Sequence, residues 1–242
     1  MSICAARLDA QPVLGVKRKV WRQDDEHTAI ADEKFGAVRQ SVLQRDHHAC
    51  RFCDQSFIKW LEVHHRDDDH TNQSEDNLVT ACGACHQVHH LGMAGLRSSG
   101  FLAAIPELTQ TEVIAIVRNI FAFERVDAQA VPDKQAICDK LKGFYAVFQQ
   151  RGGETLKRLF GELGLDISSP MAMAQVLSAV PEPLYAARVE LLASIRLVPT
   201  REAFRTEQLD MLVQPRDAAL RNPGVWRRFA GTLLSDTEGG GG

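Results

Sequence analysis

Cys50-Arg-Phe-Cys53, Leu61-Glu-Val-His-His65 and Asn77-Leu-Val-Thr-Ala-Cys82-Gly-Ala-Cys85-His86 are the stretches whose reading decides how this chain folds. The two C-x-x-C pairs close a loop of 28 residues. A C-x-x-C turn offers two thiolates from one tight knuckle, and zinc takes four such donors at tetrahedral corners. Cys50, Cys53, Cys82 and Cys85 therefore predict a structural zinc site. With every corner filled, such a site has no open position for a substrate, so its work is to fold the chain. The alternative is two unrelated pairs serving redox exchange or packing. Two pairs flanking one histidine-rich loop arise by accident far less often than one pair.

Working outward, eight of the nine histidines and four of the six cysteines lie between residues 47 and 90, so the chemistry is concentrated there. A strand ending in His64-His65 is followed, after eleven intervening residues, by Asn77 and, after eight more, by His86. This spacing beside the last cysteine resembles the zinc-bearing HNH endonuclease (ββα-metal) motif. The resemblance implies that His65 is a general base activating water and that Asn77 fixes the loop and orients that imidazole. It implies also that His64 and His86 hold one divalent ion, Mg, Mn or Ni. Hydrolysis of a phosphodiester needs an activated water on one side and a cation to stabilise the developing charge. His64 stands where many members of that family place Asp, and an imidazole favours Mn, Ni or Zn over Mg. The other reading is a zinc-folded scaffold whose histidines hydrogen-bond within the loop. His47, His48, His70, His89 and His90 fall outside the matched positions and are expected to be solvated or weakly packed. The acidic run Asp67-Asp68-Asp69 is expected to be a solvated loop.

A second pattern lies in the flanks. Gln44-Arg45-Asp46 ends a helix before the first knuckle, Asn77 to Cys82 enters the second, and Ile105-Pro-Glu-Leu-Thr-Gln-Thr-Glu112 opens a helical half. Together these are similar to the DotN (IcmJ) family of the coupling-protein complex in type IVB (Dot/Icm) secretion systems, over roughly residues 15 to 180. That resemblance implies an assembly or substrate-presentation module that docks on a coupling ATPase and other secretion-complex proteins. It implies a cytoplasmic location, at the inner face of the membrane through those partners. DNA is the partner under the nuclease reading.

The formal charge of -3 from 28 basic and 31 acidic residues shows no single-sign block, so no dedicated basic coat for nucleic acid is visible. No window gives the roughly 18 apolar residues of a membrane span, and the first twenty residues have no apolar core of a signal peptide. Membrane insertion is not expected. Cys4 and Cys138 stand alone and read as free thiols.

Val13-Leu-Gly-Val-Lys-Arg-Lys-Val-Trp21 reads as a strand entering a hairpin, and Phe35, Val38, Val42 and Leu43 recur at helical spacing up to Arg45. After Gly100 the pattern reads as all-α. Thr109-Gln-Thr-Glu112 is a capping box ahead of the stripe Val113, Ile116, Val117, Ile120 and Phe121, a helix of about four turns. Pro132-Asp133 can start a second helix with Ile137, Leu141, Phe144, Tyr145 and Phe148 on one face, stopped by Gly152-Gly153. Further helical patterns cover residues 154–163, 170–180 and 183–195. The expected architecture is α+β. An N-terminal segment (1–40) precedes a zinc-stapled HNH-like unit (41–95), followed by a mostly α-helical region (96–235) and a disordered glycine-rich tail (236–242).

Overall fold

The computed structural model describes residues 11–18, 28–56, 59–69, 71–127, 129, 134–156 and 168–213. In chain order the elements are α1 (Thr28–Arg45), β1 (Leu61–His65), β2 (Leu78–Cys82), α2 (Gly83–His86), α3 (Leu91–Leu96), β3 (Gly100–Ala104) and α4 (Gln110–Phe123). These are followed by α5 (Lys134–Gln150), α6 (Pro170–Ala179), α7 (Glu182–Ala186), α8 (Arg188–Leu191), β4 (Ile195–Pro199) and α9 (Thr206–Val213). The fold is α+β, as the sequence predicts. The chain forms two compact units: residues up to Arg97 with Ser169–Leu192, and Ser98–Ser168 with the chain from Ala193 on.

In the first unit, β1 and β2 pair antiparallel, from Leu61 opposite Cys82 to His65 opposite Leu78. Every residue of β2 is buried, so this strand is the floor of the unit. The end of α1 seals its outer edge. Thr80 N donates to the Asp46 carboxylate, Arg51 N donates to Thr80 O, and Arg45 donates to the carbonyls of Leu78 and Glu75. Gln44-Arg45-Asp46 thus owes its place to unpaired strand-edge groups, which are costly when buried. The helix ends without a glycine. His48 N bonds Leu43 O and His47 N bonds Gln44 O while His47 takes φ 53°, a Schellman stop in which histidine fills the left-handed position. His47 and His48 are exposed, as expected.

The expected N-terminal strand and hairpin do not form among residues 11–18, and residues 19–27 lie outside the described ones. Gly15 instead donates to Val88 O and accepts from Leu91 N, while the Tyr185 hydroxyl accepts from Val16 N and donates to Val16 O. The segment gains a side chain and a turn as partners where a hairpin would have supplied a strand. Arg188 adds a bond to Leu14 O and lies over the Tyr185 ring, 4.0 Å from its centroid. The helices α3 and α6 cross at small residues. A Cβ on Gly95 would come within 2.8 Å of the Met171 backbone nitrogen, so only glycine fits there.

The second unit overturns the all-α expectation. Its β3 and β4 pair antiparallel, Gly100 opposite Pro199 and Ala104 opposite Ile195. The partners are about 95 residues apart, and Gly-Phe-Leu-Ala-Ala has no β-branched residue, so neither local propensity nor spacing announces the strand. The capping box at Thr109 and Glu112 forms as predicted. Beside it, Gln110 uses its side-chain amide as a strand would, donating to Leu197 O at 2.8 Å and accepting from Leu197 N at 2.9 Å. That pair closes the free edge of β4. Val113, Ile114, Ile116, Val117 and Ile120 are buried, so α4 is core on most of its circumference. On α5 Cys138 and Phe148 are buried and Leu141, Phe144 and Tyr145 half-buried, so the predicted face packs inward except at Ile137, which is exposed. Gly152-Gly153 do not stop this helix. It continues as a π-turn over Arg151–Thr155, and Gly152 is required because a Cβ would meet Leu102 O at 2.9 Å. The predicted helix at 183–195 is instead α7 and α8 followed by the start of β4. Pro132, Asp133, most of 154–163 and the tail 236–242 lie outside the described residues.

Candidate metal centres

The first knuckle is built by backbone bonds, Cys50 N to Gln55 O and Asp54 N to Cys50 O, with Asp54 at φ 58°. The second grows from β2. Cys82 is the last strand residue and the N-cap of α2, and Cys85 lies one turn in. Arg51 N to Thr80 O ties the two knuckles. The four sulfur atoms lie within 4.8 Å of one another, with Cys50, Cys82 and Cys85 buried and Cys53 half-buried. This cluster could hold a metal ion such as zinc. The Cys53 and Cys82 sulfurs are 3.7 Å apart, against the roughly 3.8 Å that two Zn–S bonds of about 2.3 Å make at a tetrahedral angle. The neighbouring thiols, Cys50 first, together with burial push the thiols of Cys82 and Cys85 well above the ordinary value. A cation at the centre reverses that preference, since coordination deprotonates a thiol.

Histidines of the same hairpin and of the turns that follow it form a second cluster. One ligand nitrogen each of His64, His86 and His90 lies within 4.8 Å of the others. His64 comes from β1 and His86 from the end of α2, while His90 follows a 3-10 turn over Gln87–His89. The Nε2 atoms of His86 and His90 are 3.1 Å apart, and the Glu62 carboxylate contacts His86 Nδ1. Burial first, then the neighbouring imidazoles, pushes His64 far below an ordinary histidine. His89 is likewise pushed down to about 3, chiefly by burial. Both rings are therefore neutral near neutrality, the form that ligates metals. Burial acts against the Glu62 carboxyl, but the His86 contact and the field of Arg97 hold it below the usual carboxylate range.

His64 and His86 are thus brought together. His90 was expected to be solvated but its ring joins them, and His89 was expected to be loose but stacks on His64 with centroids 4.1 Å apart. The signal for His90 was its position four residues after His86, which puts two side chains on one face of a helical turn. Glu62 had a comparable signal, two residues before His64 on one face of a strand.

His65 and Asn77 lie apart from this ligand set. His65 is only 5% exposed, and its ring stacks on Phe35 of α1 with an interplanar angle of 17°. The Asn77 amide is used within the loop: it donates to Asp67 and to Asn72 O and accepts from Asp67 N. It pins the loop and makes no bond to His65 among the described residues. Asp67 also takes Asn72, and Asp69 takes Thr71, so these carboxylates serve the turn itself. His70 lies outside the described residues.

No helix among the described residues is long and apolar enough to cross a membrane. No family model matches the chain. The chain is 30% identical over 179 residues to the Type 4 apparatus protein DotN of Legionella pneumophila subsp. pneumophila (strain Philadelphia 1), covering 73% of this chain and 78% of that protein.

Proposed function

Because the chain belongs to the DotN family, we propose that it is a zinc-folded component of a type IVB secretion coupling complex, an assembly or substrate-presentation module that docks on a coupling ATPase. The observation that carries this reading is the extent of the similarity. It spans 179 residues, far more than the cysteine and histidine stretch, so what is shared extends well beyond the metal-ligating residues. Zinc held by Cys50, Cys53, Cys82 and Cys85 is structural here, with the S···S separation and donor set as its support. Leu184, Val189 and Leu191 of α7 and α8 are exposed apolar side chains, and they are the residues we assign to contact with a protein partner. The location follows from the partners: cytoplasmic, at the inner face of the membrane. The test is capture of the full chain by the C-terminal tail of the coupling ATPase. Binding that is weakened by Leu184→Asp and Leu191→Asp is the expected result, and an empty capture by folded, zinc-loaded protein overturns it.

A second reading has an observation of its own. The convergence of His64, His86 and His90 favours a metal-dependent HNH endonuclease, with DNA as substrate, His65 as general base, Asn77 holding the loop and a divalent ion (Mg, Mn or Ni) on the imidazoles. Against it stand the acidic net charge and the base shut beneath Phe35, since a general base must reach the water that it activates. Nicking of supercoiled plasmid by wild type and His65→Ala with each metal decides between them. Cutting by wild type alone makes the protein a nuclease, and no cutting by either leaves the module.

A further inference from the structure

We propose that Glu62 is a positioning residue of the histidine cluster: it fixes His86 in the tautomer whose bare Nε2 faces the position that an ion shared with His64 and His90 would occupy. The inference rests on reading those three imidazoles as ligands of one divalent ion. Glu62 and His64 are two residues apart on β1 and so share one face of the strand. That face meets the end of α2, where the Glu62 carboxylate contacts His86 Nδ1. A carboxylate only accepts, so the proton of the neutral ring sits on Nδ1 and Nε2 keeps its lone pair. This Nε2 stands 3.1 Å from His90 Nε2. Two nitrogens bound to one tetrahedral ion at about 2.0–2.1 Å are separated by roughly 3.3 Å. Without an ion this contact is a hydrogen bond, His90 Nε2–H donating to the bare His86 Nε2, and its length is close to the spacing of co-ligands. A carboxylate behind a ligating imidazole also raises its basicity and holds its plane. Glu62 is 46% exposed, so its removal opens no cavity.

The full chain, zinc-loaded as purified, is titrated with cobalt(II), whose thiolate charge-transfer bands report any exchange into the cysteine cluster. The expected result is one further cobalt bound through nitrogen donors, lost in His64→Ala. Glu62→Gln binds it about 10–100-fold more weakly while melting of the cobalt-free protein is unchanged. Nitrogen-15 spectra of the cobalt-free protein, at about pH 8 where imidazole is neutral, supply a readout that a merely structural role would not move. They should show His86 protonated at Nδ1 in the wild type and at Nε2, the tautomer that free imidazole prefers, in Glu62→Leu. An Nε2–H His86 in the wild type overturns the proposal, as does wild-type cobalt affinity in both Glu62 variants. A wild type that keeps the Nδ1–H tautomer but binds no cobalt overturns the ligand reading, and with it any role for Glu62 toward a metal.

Discussion

The cysteine cluster and the histidine cluster share one hairpin and one short helix, yet they load the fold differently. The cysteines come from two knuckles separated by the whole hairpin, so any ion they share ties together segments that would otherwise be free, and it closes a long loop. The histidines hang on β1, α2 and the turn after it, elements that are already in place. An ion there adds affinity for the folded chain but builds none of it. With ions bound, the first cluster would be a staple and the second a socket.

The sharpest way to break this contrast is Cys82→Ser, or removal of the metal by a chelator. Structural zinc contributes on the order of 10 kcal/mol in small domains, so the first unit should unfold, seen as lost helix signal and insolubility. Wild-type melting of Cys82→Ser would end the staple reading. A smaller effect is expected where the hairpin edge is sealed without metal. Asp46→Asn weakens the bond to Thr80 N and the Arg45 pair, and should cost about 1–3 kcal/mol in chemical denaturation. Burial raises the Asp46 carboxyl, but hydrogen bonds from Arg45 and Thr80 outweigh it and hold it below the usual carboxylate range. Its stabilisation is thus fully present above the unfolded value of about 3.9 and lost as pH falls through the lower folded value. The gap between wild type and Asp46→Asn should hold steady above about pH 5 and close below about pH 4.

Gly95→Ala should cost about 1–3 kcal/mol, because the added methyl must push Met171 backbone aside where α3 and α6 cross. Least of all, His86→Ala should shift metal-free stability by only about 0.5 kcal/mol, as a partly exposed side chain does, while abolishing binding of cobalt at the second cluster. A large loss of fold in that variant would erase the distinction between the two clusters.

Much of this was legible in the residues themselves. The two C-x-x-C pairs, the helix ending at Arg45, the capping box at Thr109 and the α+β class follow from local rules: donor spacing, apolar period and cap chemistry act within a few residues of one another. That His64 and His86 lie together was implied by the resemblance to the HNH motif, and the fold does bring their rings together. The misreadings share one cause as well. Residues 13–18 were expected to pair as a strand, but Tyr185 and Val88 took their backbone groups. Gly152-Gly153 was expected to stop a helix, but β3 needed a close approach there. His90 lies near His86 in sequence, but what recruits it to the cluster is the ring that it faces. His65 matched the motif for a base, and only packing against Phe35 withdrew it from water.

The sequence alone therefore determined the grouping of the four cysteines and which local caps form, since those depend on neighbours along the chain. Tertiary structure alone decided the pairing of β3 with β4, the edge closure by Gln110, the membership of His90 and Glu62 in one cluster, and the burial of His65. Each of these depends on groups brought together through space, and loop closure between distant segments leaves no periodic trace in the residues between them.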